Sequence, residues 1–583
     1  MDKKYYTVER NVQIVIGLLK THGIKRVIAS PGTTNMTFVG SIQQDPFFEI
    51  YSSVDERSAA YLACGMAAET GEPVVLSCTG ATASRNYMPG LTEAFYRKLP
   101  VLAITSHRGD YQIGHLIDQQ IDRRSLPNDI AIEHVVVPMV KDRNDEKFCT
   151  IEANKAILAL KLNGGGPVHI NMFTEYNPDF SVKELPPVRG IRRYTAFEEL
   201  PKIEAKGRVG VFVGAHRSFS DEETAAIDRF CATHNAVVFC DSTSNFYGKY
   251  AVRMALSFGQ ENWTSPLRNV DLLIHIGEVT GEMYRMTCSR VWRVSKDGAL
   301  RDYFGCLTDV FMMSELQFFS HYSDNGSGRK DYLEACQKEY QEMLSQIPEL
   351  PFSNVWMAQQ LSQHLPIGST VHLGIYNSLR SWNFFCLPDG VRSQCNVGGF
   401  GIDGGVSTMM GAAMSRPEKL FFGVFGDLAF FYDMNVLGNR HVGNNVRLLL
   451  INNGKGNEFR LYCHPCRIFG ENAEPFMAAA GHYGNQSPML VRHYAEDLGY
   501  EYLTACNKVE FTANLERFCT PDNIEKPIVF EVFTNTEDES GALETIRGFK
   551  KDNSQMLKNK LTQVVRDSLG KEGIEMVKKI LGK

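Results

Sequence analysis

The stretch Leu420–Phe459 reads L-F-F-G-V-F-G-D-L-A-F-F-Y-D-M-N, then about ten mixed residues, then V-R-L-L-L-I-N-N-G-K-G-N-E-F. Its two apolar runs, Leu420–Phe425 and Val446–Ile451, have the length and uniform hydrophobicity of buried parallel strands. Each run stops at small or polar residues: Gly426-Asp427 after the first, Asn452-Asn453-Gly454 after the second. Loops at the carboxyl ends of neighbouring parallel strands are where open α/β sheets bind ligands. Asp427 and Asn453 are hard oxygen donors of the kind Mg²⁺ takes together with phosphate oxygens and water. The plainer reading of G-D and N-N is that they are turn residues, so the rest of the chain must decide.

Working outward, 583 residues exceed one hydrophobic core and imply about three domains. A hydrophobic share of 43% with 22% charged residues is that of a globular enzyme. The formal charge of -6 excludes a basic nucleic-acid footprint. The absence of a long apolar run predicts no membrane span, and the N-terminus has no signal-peptide core. Fourteen cysteines without framework spacing predict reduced thiols and a cytoplasmic protein. Cys463-His464-Pro465-Cys466 contains C-x-x-C, but no second such pair stands near it, so incidental thiols are the better reading than zinc.

From the N-terminus, the spacing predicts a helix over Val8–His22 and a strand over Lys25–Ala29, closed by Ser30-Pro31-Gly32-Thr33-Thr34-Asn35. That turn serves either a ligand or simply a helix cap. A strand at Ile50–Val54 precedes Asp55-Glu56-Arg57 and a helix of small residues, with Glu56 in its first turn. An acid there also complements the helix dipole, which is the bland alternative. Strands follow at Pro73–Cys78, Pro100–Thr105 and Gly166–Asn171, the last of this unit. Strands alternating with helices across short loops define doubly wound parallel sheets. Asp179–Arg193 reads as a linker. A Rossmann-like unit follows, with strands at Arg208–Gly214, Ala236–Cys240, Asp271–Gly277 and Val291–Val294. Val213-Gly214-Ala215-His216 does not complete a dinucleotide fingerprint, so this unit is read as scaffold.

The third unit has a strand at Thr370–Gly374, the segment Ile375–Trp382, a glycine-rich loop Asn396–Gly404, and strands at Tyr500–Thr504 and Ile528–Thr534. The boundaries are therefore 1–180, 194–345 and 351–540, with a Lys-rich helical tail over 541–583. In the tail, Met556, Leu557, Leu561, Val564, Val565 and Leu569 follow helical spacing, as for docking on the body or a partner chain; a membrane surface is the lesser alternative. The outer units look like a repeat: Gly65 stands fifteen residues before Gly80, and Gly411 fifteen before Gly426.

Together these segments resemble the thiamine-diphosphate enzymes, with pyrimidine-binding, central Rossmann-like and diphosphate-binding domains in that order. The pattern is most similar to the 2-succinyl-5-enolpyruvyl-6-hydroxy-3-cyclohexene-1-carboxylate synthase family of menaquinone biosynthesis. The segments that carry it are S-P-G at Ser30–Gly32, D-E-R-S-A-A at Asp55–Ala60, T-S-H-R at Thr105–Arg108, N-S-L at Asn377–Leu379, G-I-D-G at Gly401–Gly404 and G-D-L at Gly426–Leu428. The resemblance implies that thiamine diphosphate and Mg²⁺ are the cofactors. It gives Glu56 the role of the carboxyl that hydrogen-bonds the aminopyrimidine ring and promotes loss of the thiazolium proton. It makes Ile402, beside Gly401, the apolar prop of the bent cofactor. Asp427, the Asn453 side chain and the Lys455 carbonyl match metal ligands. Asn377, Ser378, Gly426, Leu428 and Ala429 match the diphosphate lining, Asn86 a cofactor-facing position, and Gln119 and Arg108 positions near the reacting centre. It further implies a homodimer or homotetramer in which Glu56 and the diphosphate site come from different subunits.

The match breaks at the substrate. The menaquinone enzymes hold several carboxylates with arginines, and three of those positions are Thr34, Trp382 and Val397 in this chain. Each lost bidentate partner costs a carboxylate about 2–5 kcal/mol of binding. Thr33, Thr34 and Trp382 point to a less cationic, partly aromatic pocket, with His107 and Arg380 among possible replacement cations, as are Arg85 and His464. The activity implied is decarboxylation of a small-molecule 2-oxo acid, with the resulting enamine transferred to an acceptor or to a proton. The alternatives are the menaquinone step itself, from 2-oxoglutarate and isochorismate, and a non-catalytic protein on a degenerate fold.

Overall fold

A computed structural model describes residues 4–281, 285–324, 328–482, 487–521 and 525–552. They fall into two compact units, one within Met1–Leu200 and Lys296–Met312, the other within Pro201–Ser295 and Met313–Lys583.

In the first unit, β1 (Arg26–Ala29), β2 (Glu49–Ser52), β3 (Val74–Thr79), β4 (Val101–His107), β5 (Glu133–Val137) and β6 (Val168–Phe173) form a parallel sheet ordered β2-β1-β3-β4-β6-β5. The inner strands are the continuous apolar runs, because helices cover both faces; every residue of β4 is buried. The helix Glu56–Thr70 buries Ala59, Ala60, Ala63 and Ala67, and Gly90 on the helix Met88–Tyr96 permits close approach, since a Cβ there would meet the Cβ of Ala60 at 2.4 Å. Three strands of this unit, β5, β7 (Arg192–Thr195) and β13 (Leu307–Met312), escape the sequence reading. β5 is half-buried at the sheet edge, outside β6, which is last in sequence but not in the sheet. β7 overlaps the expected linker and runs parallel to β13.

In the second unit, β8 (Val209–Val213), β9 (Val237–Cys240), β10 (Ala251–Val252), β11 (Asn269–Ile276) and β12 (Thr287–Val294) pair in parallel in the order β10-β9-β8-β11-β12. The turn after β8 is closed by packing, for a Cβ on Gly214 would fall 2.0 Å from the Glu278 carbonyl oxygen. The last sheet holds β14 (Thr370–Leu373), β15 (Arg392–Cys395), β16 (Phe421–Gly426), β17 (Val446–Asn452), β18 (Glu501–Ala505) and β19 (Ile528–Phe533). Its order, β15-β14-β16-β17-β19-β18, is that of the first sheet strand for strand, and all its pairs are parallel. Gly80 and Gly426 both stand at the end of the third strand of their sheets, so the repeat in the sequence is a repeat of topology.

The molecule is thus an α/β protein with three parallel-sheet regions. The helix Thr536–Gly548 runs through the expected start of the tail, and the apolar positions from Met556 onward lie outside the described residues. No helix among the described residues is long and apolar enough to cross a membrane. All fourteen cysteines are free thiols.

Candidate functional site

β16 and β17 lie side by side in register, with Gly426 opposite Ile451. Their ends therefore release Asp427 and Asn452-Asn453 next to each other, and β14 on the other side of β16 releases the helix Asn377–Asn383. These ends enclose a cavity of about 240 Å³. It is lined by Asn377, Ser378, Ile402, Gly426, Asp427, Leu428, Ala429, Asn453 and Lys455, which the sequence reading had drawn from four separate segments. Gly401 precedes the lining and is exposed.

The electrostatics call for a cation. Asp427 is buried, and desolvation pushes its carboxyl up to about 7 although the amides of Leu428, Gly454 and Lys455 oppose the shift. Its Oδ1 accepts from the Leu428 amide at 2.9 Å. The Asn453 Oδ1 is buried without a donor. A buried carboxylate without a counter-charge and a buried carbonyl without a partner are both costly. One divalent ion between them removes both costs, and a carboxylate with amide carbonyls is the hard-oxygen set Mg²⁺ prefers. The donors therefore fit the metal that the sequence implies. Among the described residues no group of three or more His, Cys, Asp or Glu side chains could hold a metal ion.

A buried network holds the loop after β17. The Asn452 Nδ2 donates to Glu531 Oε1 at 2.7 Å, Tyr502 donates to Glu531 Oε2 at 2.8 Å, and the Gly454 amide donates to Asn452 Oδ1 at 3.1 Å. Glu531 on β19 thus positions the turn through Asn452, and burial raises its own carboxyl. Tyr376, which lines the cavity, has φ 64° and ψ -111°, a conformation that side chains rarely hold and that marks strain at a site.

Two lining residues with unpaired buried polar atoms were missed in the sequence. Asn457 is buried with both its amide oxygen and nitrogen unpaired, and Asn354 has an unpaired buried Oδ1 while its backbone amide donates to Glu539. The signal for Asn457 was present, four residues past Asn453 in N-N-G-K-G-N; for Asn354 there was none.

Two of the substrate candidates already have partners within the second unit. Trp382 is packed in the hydrophobic core, 1% exposed, and does not line the cavity. Arg380 is engaged by Glu458 in a bidentate pair at 2.8 and 3.0 Å and also donates to Asn377 Oδ1. His464 does reach the cavity lining, its Nδ1 accepting from the Cys466 amide.

In the first unit, Glu56 opens its helix behind the Asp55 cap, and Asn86 Nδ2 lies 3.4 Å from Glu56 Oε2. Thr33 is exposed; Thr34 is buried, its Oγ1 2.5 Å from Thr79 Oγ1 and donating to the Ser106 carbonyl. His107 ends β4, buried, with its Nε2 unpaired. Burial and the nearby Arg123 push its imidazole down to about 3, so it is neutral. Arg108 donates to the Asp118 carbonyl at 2.7 Å. Arg85 donates to the Asp122 carbonyl, and Gln119 is exposed in a left-handed turn with φ 57°.

Residues 10–126 match the family of the thiamine pyrophosphate enzyme, N-terminal TPP binding domain. The chain therefore carries a thiamine-diphosphate-enzyme domain, placed where the first sheet stands. Over nearly its full length it is similar to 2-succinyl-5-enolpyruvyl-6-hydroxy-3-cyclohexene-1-carboxylate synthases. It is 28% identical to that of Bacteroides fragilis over 590 residues, covering 95% of this chain and 100% of that protein. To that of Phocaeicola vulgatus it is 28% identical, covering 94% and 100%, and to that of Flavobacterium johnsoniae 26%, covering 90% and 96%.

Proposed function

We propose that the protein is a thiamine-diphosphate- and Mg²⁺-dependent enzyme that decarboxylates a 2-oxo acid and passes the remaining carbon fragment to an acceptor carbonyl or alkene, or to a proton. The observation that carries this reading is the cavity at the ends of β14, β16 and β17, with buried Asp427 and the unpaired Asn453 Oδ1 at one wall. Bound there, thiamine diphosphate supplies a nucleophilic carbon and an electron sink. Asp427, Asn453 and the Lys455 carbonyl would hold the metal; Asn377, Ser378, Leu428 and Ala429 would face the diphosphate; Ile402 would support the cofactor against the wall. Glu56 is proposed to hold a proton at the pyrimidine ring, with Gln119 and Arg108 near the reacting centre. We take each sheet as the core of one domain, with two copies of the chain paired so that both halves of the site are completed. The exposed apolar side chains of Tyr51, Val54 and Leu62, around Glu56, suit that pairing.

The test is CO₂ release from a panel of 2-oxo acids with thiamine diphosphate and Mg²⁺, with and without aldehyde, ketone and enoyl acceptors. Turnover of at least one acid is expected, together with its loss in Glu56→Gln while cofactor binding persists. Equal CO₂ release from both forms would overturn the role of Glu56. A second reading, the reaction named for the relatives, is favoured by the full-length similarity. Consumption of isochorismate in the presence of 2-oxoglutarate would establish it.

A further inference from the structure

The chain buries an arginine that the sequence reading passed over. Arg123 is 3% exposed, yet among the described residues no carboxylate lies within ion-pair distance of it. Its one bond runs from Nη1 to Thr105 Oγ1 at 2.5 Å, and Nη2 is buried without a partner. A guanidinium does not shed its charge at physiological pH, so burial without an anion is paid in full.

The surroundings keep that charge single. Thr105 Oγ1 lies 2.6 Å from His169 Nε2, and His169 Nδ1 lies 2.8 Å from His134 Nδ1. Every junction is satisfied when Nη1 donates to Thr105, Thr105 donates to His169, and His169 donates to a neutral His134. The relay fixes one amino group of Arg123, and the other is left over. Burial depresses both histidines as well as His107, so these imidazoles add no charge to that of Arg123, while Arg85 acts on it from further off. Asp110 acts on Arg123 only at longer range.

The location is the carboxyl end of the first sheet. A Cβ on Gly80, just past β3, would stand 3.4 Å from Arg123 Nη2 and 3.2 Å from the Ser106 carbonyl oxygen. Gly80 corresponds in the repeat to Gly426, which lines the cavity of the second unit. The hydroxyls of Thr34 and Thr79 flank the same strand ends.

We propose that Arg123 is the substrate-carboxylate anchor of this protein: its unpaired Nη2, packed beside Gly80, takes the carboxylate of a 2-oxo acid. The assignment rests on the reaction proposed above and deepens it. It gives the first unit a buried cation beside Thr34, the residue that stands where the menaquinone enzymes have an arginine.

The test uses holoprotein carrying Glu56→Gln, so that the acid is bound and not consumed, titrated by calorimetry with pyruvate and with 2-oxoglutarate. Adding Arg123→Met is expected to weaken the bound acid about 30-fold or more. Arg123→Lys should weaken it less, and Gly80→Ala, which keeps the charge but crowds Nη2, should weaken it too. Thiamine diphosphate affinity should stay within about twofold in all of them, which separates a substrate anchor from a diphosphate contact. Crystals of the unsubstituted holoprotein soaked in bromide should show an anomalous peak beside Nη2, a readout that needs no variant. The assignment fails if Arg123→Met binds the acid as its background does, or if neither acid binds and no bromide peak appears. Failure of thiamine diphosphate to bind at all would instead overturn the reaction itself.

Discussion

At the scale of the residue, the site is a balance of buried polar atoms that the chain itself leaves open. Asp427 and Asn453 are held in a dry wall with no donor or cation of their own sufficient to satisfy them. On the proposed reading their cost is recovered on binding, which makes metal affinity their clearest readout. Asp427→Ala is expected to weaken Mg²⁺-dependent binding of thiamine diphosphate about 100-fold while leaving the fold intact, because the buried charge goes with it. Equilibrium binding followed by the protein's fluorescence, beside circular dichroism, checks both halves. Residues of this kind were legible in the sequence, since G-D and N-N each closed an apolar run. Arg123 was not: in Asp122-Arg123-Arg124 it looks like one more solvated charge. Its burial depends on Thr105 and His169, which are far from it in sequence and meet it only through the packing of β4 against β6. Trp382 is the converse case. Asn377 and Ser378 at the start of its helix line the cavity, but Trp382 itself packs in the core.

At the scale of the element, strand order does most of the positioning. β16 and β17 were readable because both of their faces are covered, which leaves uninterrupted apolar runs. β5 and β15 were not, being short edge strands with mixed burial. The same scale explains Glu531. It lies on β19 beside Leu450 of β17, one strand away from the loop it controls through Asn452. Glu531→Leu removes the acceptor for both Asn452 and Tyr502, and each such hydrogen bond is worth about 1–3 kcal/mol. The expected result is a loop that no longer presents Asn453 and Lys455 in register, with thiamine diphosphate affinity lowered about tenfold or more. Unchanged affinity measured by calorimetry would show that the loop holds itself.

At the scale of the whole molecule, the first and last sheets share one strand order, and the candidate residues of each follow the carboxyl ends of its strands. One end offers a carboxylate, Glu56, and a buried guanidinium; the other offers oxygen donors for a metal. The repeat was visible in the sequence as a single spacing of glycines, too little to establish topology, whereas the identical orders establish it. A site divided in this way needs a second copy of the chain under the proposed arrangement. Val54 and Leu62 stand exposed near Glu56, at 80% and 49%. Val54→Asp with Leu62→Asp is expected to shift the protein from dimer toward monomer in sedimentation velocity and to lower cofactor binding with it. A dimer of unchanged strength would place the pairing face elsewhere.

The most direct measurement is a crystal structure of the protein grown with thiamine diphosphate and Mn²⁺ in place of Mg²⁺. The account predicts an anomalous metal peak about 2.0–2.3 Å from the Asp427 carboxylate, the Asn453 Oδ1 and the Lys455 carbonyl oxygen, with the diphosphate against Asn377, Ser378 and Leu428. Cofactor bound away from these residues, or Asp427 and Asn453 left without metal at saturating concentrations, would contradict it.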